Sequence, residues 1–446
     1  MKGGFKVERE SWGGKLGFWL AAAGSAIGLG NIWRFPYLAG ANGGAAFVFI
    51  YLLLVLTIGF SVMLAEFAIG RHTNLNAVGA FQKLKGGPWQ IAGWMGVIAG
   101  FVILSFYSVI GGWTIKYIIS SFTGMISTST DSTEYFLNFI ANGPQTVLYL
   151  AIFMAITIFV VYRGVGKGIE DTCKILMPAL FAILVILIIR AVTLPGAFAG
   201  IDFYLNPDFS KITGKTILAA LGQAFFSLSL GMGCMITYGS YIKSKKDSLP
   251  KAAAIITLLD TSAAFLAGFV IFPTVFAFGA EPGAGPGLTF ITLPKVFALM
   301  PGGQIWSALF FLLLCVAALT SAISLLEVVV AYAIDNLKWP RHKAALSIGG
   351  VIFLLGIPSA LSQGAVSLNV LGMSFLDLLD FISNNILLTV GGLLISLFVG
   401  WIIPDIAKKE TTSHGPFAFQ TIWLWICRVV APVAIFIIIL GGFGLF

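Results

Sequence analysis

Residues 20–36 read LAAAGSAIGLGNIWRFP, an apolar helical segment with glycine at its centre. Gly28 and Gly30 fall in mid-span, and Arg34 follows where lipid-facing sequence is expected. Because glycine is unfavourable in a helix interior, the pattern predicts a break at which backbone groups lose their helical partners. Inside a bilayer these groups need other partners, which a bound ion and a polar solute would supply. The alternative is a close helix crossing at small residues.

A later stretch repeats the pattern. Residues 222–241 read GQAFFSLSLGMGCMITYGSY, in which Gly231 and Gly233 stand much as Gly28 and Gly30 do. Two glycine-interrupted apolar segments in corresponding positions of two halves are typical of an inverted-repeat transporter with its binding site near the bilayer midplane. The pairing therefore favours a binding site over a simple helix crossing.

The composition indicates a polytopic membrane protein, since the 446-residue chain is 58% hydrophobic and only 10% charged. A short basic N-terminus without a small-residue cleavage site indicates that the first span is retained rather than removed as a signal peptide. The four cysteines lie singly in apolar segments and the three histidines fall in predicted loops. Neither metal-ligand spacing nor a nucleophile triad can be assembled from them, which argues against an enzyme.

Hydropathy predicts eleven membrane-spanning helices. They cover residues 16–38, 45–69, 89–120, 146–161, 174–191, 216–241, 252–278, 304–333, 344–361, 375–402 and 417–440. Glycine-rich and proline-rich segments at 202–215 and 281–303 are predicted to cap a vestibule, or else to be simple connectors.

Lysine and arginine are concentrated in alternate loops, nineteen in one set and five in the other. The larger set is Lys2, Lys6, Arg9, Lys15, Arg71, Lys83, Lys85, Arg163, Lys167, Lys174, Lys243, Lys245, Lys246, Lys251, Lys338, Arg341, Lys343, Lys408 and Lys409. The smaller set is Lys116, Arg190, Lys211, Lys215 and Lys295. Because cytoplasmic loops carry the excess, the N-terminus is predicted to be cytoplasmic and Phe446 to lie outside. The sequence has no Asn-x-Ser/Thr sequon, which favours a prokaryotic inner membrane over an animal cell surface.

Five short runs resemble the neurotransmitter:sodium symporters, particularly the bacterial amino-acid members with eleven helices. They are WGGKLG (12–17), GLGNIWRFP (28–36), NGGAAF (42–47), SLSLGMG (227–233) and AALTS (317–321). The resemblance runs from about residue 9 to the end of the tenth span and implies a single transporter domain, 1–446, of the LeuT-like all-α fold. It implies two inverted five-helix repeats, at about 12–192 and 212–402, an extra helix at 417–442, and unwinding of helices 1 and 6 at the midplane.

The same resemblance implies two sodium sites. The first is assigned to Ala26, Asn31, Ser227 and Asp260, together with the substrate carboxylate. The second is assigned to Gly24, Ile27, Ala317, Thr320 and Ser321. The residue types agree with this, because sodium is a hard cation that prefers oxygen ligands. For Thr320 and Ser321 the alternative is a hydrogen bond back to their own helix.

The resemblance also implies a substrate site. The N–H groups of Leu29 and Gly30 and the hydroxyl of Tyr107 would bind a carboxylate. An ammonium group would meet the carbonyls of Ala26, Phe226 and Ser227 and the hydroxyl of Ser229. The substrate side chain would lie against Ile103, Phe226, Met232, Ser321 and Leu325. Amine transporters of the family carry Asp at the position of Gly28, so glycine there implies a substrate with its own carboxylate.

Two charged pairs are implied as gates, Arg34 with Asp380 outside and Arg9 with Asp335 inside. Tyr107 and Phe226 would form a lid below the outer pair, and Trp12 would support the inner one. Glu66 is expected to meet the second break, whereas Glu327 has no role that the sequence explains. Gly168 and Pro178 frame a G-x9-P pattern that predicts either an opening helix end or an ordinary proline kink.

The sequence thus predicts sodium-coupled symport of a hydrophobic or aromatic L-amino acid by alternating access. Met232 favours bulky substrates because its unbranched side chain adapts to them, or else it is an ordinary core residue. Alternatives are an osmolyte or ω-amino-acid transporter, a channel, or a non-transporting substrate sensor of the same fold. The expected partners are the amino acid, sodium and the lipid bilayer, with no nucleic acid. No chloride requirement is expected, because Asp260 supplies a negative charge and Ala264 cannot donate to an anion.

Overall fold

The computed structural model describes residues 9–124, 130–244, 247–281 and 287–442, which fold almost entirely as helices. Helices of the first half are α1 (Lys15–Ala26), α2 (Gly30–Ala41), α3 (Ala45–Thr73), α4 (Ala77–Leu84), α5 (Gly87–Phe122), α6 (Ser132–Ala141), α7 (Gly143–Tyr162), α8 (Val165–Val192) and α9 (Ala197–Leu205). Helices of the second half are α10 (Gly214–Ser227), α11 (Cys234–Ser240), α12 (Leu249–Ala277), α13 (Leu288–Ala298), α14 (Gly303–Asp335), α15 (Arg341–Leu361), α16 (Phe375–Ile402), α17 (Pro404–Thr411) and α18 (Gln420–Gly442). Two short antiparallel strands, β1 (Asn369–Val370) and β2 (Met373–Ser374), precede α16.

Nine of the described helices are long and apolar enough to cross a membrane. These are α3, α5, α7, α8, α12, α14, α15, α16 and α18. Helices α1 and α2, bent by 49° at the break between them, make a tenth candidate. The prediction of an all-helical polytopic membrane protein is therefore confirmed. The remaining predicted span, at 216–241, is occupied by the two shorter helices α10 and α11.

The helices differ in how far they are buried. In α5 and α14, 78% of the most apolar stretch is buried inside the protein, against 28% in α8. Outer helices expose aliphatic side chains such as Ile175 and Leu354, as expected of surfaces that face lipid tails. Helices α5 and α14 thus form the centre of the bundle, and the breaks of the two interrupted helices lie against them.

Close backbone contacts hold the short helix α11 in place. A Cβ at Gly70 of α3 would lie 2.1 Å from the carbonyl oxygen of Ile236, so glycine is required where these two helices touch. Helix α11 begins directly after the second glycine-rich interruption, between Ser227 and Cys234, so this contact fixes the position of one side of that interruption.

Several boundaries differ from those predicted. Helix α8 begins at Val165, well before the predicted residue 174, and remains helical through Gly168 and Pro178. The predicted cap at 281–303 contains α13, although its residues 282–286 lie outside the described part of the chain. Four of the basic residues used to predict orientation lie outside the described residues, namely Lys2, Lys6, Lys245 and Lys246. The C-terminal Phe446, predicted to lie outside the cell, is also outside the described residues.

Candidate functional site

At the first break, between α1 and α2, two backbone N–H groups donate to side chains instead of to carbonyls of the same helix. The N–H of Gly28 donates to Asn31 Oδ1 at 3.0 Å, and the N–H of Leu29 donates to Tyr107 Oη at 3.0 Å. In an unbroken helix these two groups would donate to the carbonyls four residues earlier. The carbonyls of Gly24 and Ser25 are therefore left available to other donors or to a cation.

The second break lies between α10 and α11 and depends on left-handed backbone conformations. Ser229, Gly231 and Gly233 have φ of 53°, 75° and 74°, which glycine adopts readily and serine rarely. The N–H of Gly231 donates to Glu66 Oε1 at 2.8 Å, as the sequence suggested for this acid. Ser229 Oγ donates to the Ser25 carbonyl at 2.8 Å, so the two breaks meet directly.

A small cavity of about 20 Å³ lies between the two breaks. It is lined by Ser25, Ala26, Gly28, Gly30, Ile103, Tyr107, Phe226, Ser229, Met232, Ser321 and Leu325. The structure thus brings together all the predicted substrate-binding residues except two. Leu29 lines a larger cavity above, and Ser227 faces Asp260. The space holds about one water molecule, so a substrate must widen it.

The larger cavity, of about 230 Å³, lies at the end of the molecule that carries Arg34 and Asp380, called here the Arg34 end. Its lining includes Trp33, Tyr37, Ile110, Trp113, Phe136, Phe290, Gln363 and Asp377. Tyr107 and Phe226 line both cavities and so separate them. The Arg34 guanidinium lies 4.9 Å from the Phe226 ring centroid, and Asp380 accepts a hydrogen bond from Asn384. The predicted outer pair therefore faces one cavity, with each member held by another residue.

Three of the residues assigned to the first sodium, Asn31, Ser227 and Asp260, form a buried hydrogen-bonded cluster. Asp260 accepts from Asn31 Nδ2 at 2.7 Å and from Ser227 Oγ at 3.0 and 3.1 Å. Tyr51 in turn donates to Ser227 Oγ at 3.2 Å. All four side chains are buried. A carboxylate and a hydroxyl are ligands that a hard cation prefers, so these residue types fit sodium. The Asn31 amide turns its nitrogen toward Asp260 and its oxygen toward the Gly28 N–H.

The residues assigned to the second sodium bring α14 against the end of α1. Ser321 Oγ lies 3.4 Å from the Gly24 carbonyl oxygen, 3.0 Å from that of Ser25 and 3.4 Å from that of Ile27. Thr320 bonds back to its own helix, to the carbonyls of residues 316 and 317. Thr320 thus makes the hydrogen bond to its own helix that was raised as the alternative, whereas Ser321 reaches the carbonyls at the end of α1.

Comparisons with known proteins agree with this arrangement. The sequence matches the Sodium:neurotransmitter symporter family over residues 9–142 and 137–444. The chain belongs to the sodium:neurotransmitter symporter family. It is accordingly a sodium-dependent transporter of the membrane and not an enzyme.

Relatives and a solved structure cover nearly the whole symporter. It is 42% identical to the "Uncharacterized sodium-dependent transporter YhdH" of Bacillus subtilis, over 97% of this chain and 98% of the relative. It is 30% identical to the "Sodium- and chloride-dependent GABA transporter 2" of Rattus norvegicus, over 89% of this chain and 73% of the relative. The crystal structure of MhsT in complex with L-phenylalanine is 47% identical, with a TM-score of 0.90, and the match covers 97% of this chain and 100% of that one.

The opposite end of the symporter, called here the Arg9 end, is closed by hydrogen bonds. Arg9 forms an ion pair with Asp335 and donates to Ser240 Oγ at 2.6 Å. The indole N–H of Trp12 donates to the Tyr238 carbonyl at 2.9 Å. The predicted inner pair and its supporting tryptophan therefore tie the segment before α1 to α11 and α14.

Glu327 belongs to this closure, and the sequence analysis missed its partner. Arg341 donates to both carboxylate oxygens of Glu327, at 2.7 and 2.8 Å, and Tyr241 donates to the same group at 2.5 Å. Arg341 Nε also lies 2.8 Å from Glu10 Oε1. The signal that could have revealed the pair is an acid near the end of one apolar helix and an arginine at the first residue of the next.

Proposed function

We propose that this symporter imports a hydrophobic or aromatic L-amino acid together with sodium by alternating access. The proposal rests mainly on one observation, that there is no space for a side chain at Gly28. A Cβ there would lie 2.5 Å from Ser321 Oγ and 2.7 Å from Tyr107 Oη. The protein therefore cannot place its own carboxylate beside the first sodium site from this position, and a substrate carboxylate takes that place.

The side-chain end of the small cavity is apolar. Ile103, Phe226, Met232 and Leu325, proposed to face the substrate side chain together with Ser321, line the cavity, and Ser229 adds a hydroxyl for the ammonium group. A zwitterionic substrate with an apolar side chain matches this division. Support comes from MhsT, whose structure contains L-phenylalanine and is 47% identical to this chain.

In this proposal the chain crosses the membrane eleven times, and the shorter apolar helix α13 is not one of the spans. The bent pair α1 and α2 forms the first span and α10 with α11 the sixth, each interrupted at its centre, and the nine uninterrupted helices supply the rest. The repeats are about 12–192 and 212–402, with 417–442 added. The Arg9 end faces the cytoplasm of a prokaryotic cell, in agreement with the distribution of basic residues.

The two ends of the molecule differ in a way that supports alternating access. The Arg9 end is closed by an ion pair and several hydrogen bonds, whereas the Arg34 end contains a cavity of about 230 Å³. Tyr107 and Phe226 line both that cavity and the small one below it. Substrate and sodium would enter at the Arg34 end, and the Arg9 end would open for their release.

The test is binding and transport by the purified full-length protein. We expect one or a few bulky hydrophobic amino acids among the twenty to displace a labelled ligand only in sodium, with betaine and ω-amino acids inactive. Reconstituted protein should exchange labelled for unlabelled substrate, which a channel or a sensor does not do. Full affinity in potassium or choline, or preference for an ω-amino acid, would contradict the proposal.

A further inference from the structure

A separate cavity of about 110 Å³ opens at the Arg9 end of the molecule. Its walls come from the start of α1, the segment before α12, the first turn of α12 and the residues after α17. The polar and aromatic side chains of interest in its lining are Lys15, Trp19, Asp247, Lys251 and His414. None of these belongs to the substrate or sodium sites described above.

The cavity has an excess of positive charge. Asp247 is the one acid among its described lining residues, and Lys15 Nζ lies 3.0 Å from Asp247 Oδ1. This pairing leaves the charge of the exposed Lys251 uncompensated in the lining. His414 adds a ring nitrogen and, when protonated, a second positive charge. An anion is therefore the ligand that complements the cavity.

A buried arginine holds the walls of the cavity together. Arg71 Nη1 donates to the Asp247 carbonyl at 2.6 Å, and Nη2 donates to Ser413 Oγ at 2.7 Å, next to His414. Arg71 Nε pairs with Glu410 at 2.8 Å, and both side chains are almost fully buried. The side of the cavity that carries Asp247 and the side that carries His414 are thus fixed relative to each other before any ligand binds.

The surroundings favour a lipid over a free anion. Leu16 on α1 and Leu258 on α12 are 61% and 62% exposed, on the same two helices that carry Lys15 and Lys251. Tryptophan and basic residues are typical of the membrane–water boundary, and basic pockets between cytoplasmic helix ends bind anionic headgroups. We propose that this cavity binds the phosphate headgroup of an anionic lipid of the cytoplasmic leaflet, in the orientation given above.

Such a lipid would act on the conformation of the symporter. Lys15 lies on α1, which a break separates from α2, whereas Lys251 lies on the long continuous helix α12. A phosphate held by Lys251, and sharing Lys15 with Asp247, links α1 to α12 and favours the closed Arg9 end. A ligand that prefers one state shifts the population toward it. Anionic lipid should therefore stabilise the state in which the Arg9 end is closed.

The experiment uses the full-length protein in nanodiscs of phosphatidylcholine with or without phosphatidylglycerol. Native mass spectrometry measures the phosphatidylglycerol retained, and sodium titrations measure apparent sodium affinity. The test variant is Lys15→Gln/Lys251→Gln. The control, Lys85→Gln/Lys409→Gln, removes the same charge from exposed lysines outside the cavity.

We expect the parent and the control variant to retain phosphatidylglycerol and to bind sodium more tightly in its presence. The test variant should lose retention by about fivefold for each lysine removed, and its sodium affinity should no longer respond to the lipid. Binding in pure phosphatidylcholine should match the parent, which shows that the variant is folded. Equal retention by both variants would overturn the proposal, as would inorganic phosphate reproducing the lipid effect in phosphatidylcholine.

Discussion

Arg341 and Glu327 form a bidentate ion pair at the Arg9 end, with Nη1 to Oε2 at 2.7 Å and Nη2 to Oε1 at 2.8 Å. Glu327 is fully buried, and the Arg341 side chain is 13% exposed. Bidentate pairs between arginine and a carboxylate are strong, but removing two charges from water is costly, so each depends on its partner. The pair fastens α15 to α14 beside the Arg9 closure.

Replacing Arg341 with Met should destabilise the protein, because it leaves the Glu327 carboxylate buried and unpaired. Breaking a buried pair in this way costs roughly 3–5 kcal/mol. We expect a lower thermal unfolding midpoint in detergent and a loss of most transport. Lys343→Met, on an exposed residue of the same helix, should behave like the parent. The double variant Glu327→Leu/Arg341→Met should recover part of the midpoint, and a double variant no more stable than Arg341→Met would contradict this account.

Gly28 should not tolerate a side chain of any kind. Gly28→Ala places a Cβ 2.5 Å from Ser321 Oγ and 2.7 Å from Tyr107 Oη, so it should weaken amino-acid binding severely. Gly28→Asp should abolish binding, because it adds a second carboxylate beside that of the substrate at low dielectric. Gly350→Ala is the matched control, since a Cβ there meets nothing within 4 Å. Normal equilibrium binding by Gly28→Asp would show that the substrate carboxylate lies elsewhere.

Sequence reasoning located the two breaks because glycine in the middle of an apolar helix has a direct physical cost. The family resemblance, and not this reasoning, assigned Asn31, Ser227 and Asp260 to one site, and in the structure Asn31 and Ser227 both donate to Asp260. Charged and polar residues inside a membrane-spanning segment are costly, so they usually belong to a functional site or are paired with other groups. Their position in an apolar segment is therefore informative about their role. The two breaks could be predicted because each depends on local chemistry, whereas the grouping of Asn31, Ser227 and Asp260 depended on the family resemblance.

Other features depend on contacts between distant residues. Glu327 on α14 pairs with Arg341 on the next helix, α15. The periodicity of the sequence does not indicate which basic residue lies next to a buried acid. Thr320 and Ser321 are neighbours of similar chemistry, yet one bonds back to its own helix and the other reaches α1. Which of the two hydroxyls reaches α1 depends on which side of α14 faces the break between α1 and α2. The start of α8 was also missed, since the charged residues Lys167, Glu170 and Asp171 lower the hydropathy of a stretch that is nevertheless helical.

Arg34 and Asp380 should affect transport more than equilibrium binding. Both line the larger cavity, and Arg34 lies over the ring of Phe226, which also lines the small cavity of the proposed substrate site. Arg34→Gln and Asp380→Asn should therefore lower the uptake rate in vesicles several-fold while sodium-dependent binding changes little. Asp208→Asn, at an exposed residue of the same end, should leave both measurements unchanged. A loss of binding with unaltered turnover would place the pair in the substrate site.

Asp260 should make the symporter independent of chloride. A charge at the bilayer centre costs roughly 2.5–3.5 kcal/mol on insertion scales, so a buried carboxylate needs a cation or several donors. In this structure Asn31 and Ser227 donate to it. When sodium enters, the carboxylate supplies the compensating negative charge. Ala264, one turn later and fully buried, has no group that could hold an anion.

The measurement is sodium-driven uptake in vesicles with gluconate in place of chloride, for the parent and for Asp260→Asn. The parent should transport equally well in both salts, because its compensating charge is covalently part of the protein. Asp260→Asn keeps the size and one oxygen of the side chain but removes the charge, so its sodium affinity should fall by about tenfold or more, as expected when an ion loses a ligand worth at least 1.4 kcal/mol. Thr261→Val removes a neighbouring hydroxyl on the same helix and should leave sodium affinity unchanged. Strong stimulation of the parent by chloride would show that the compensating charge comes from an anion and not from Asp260.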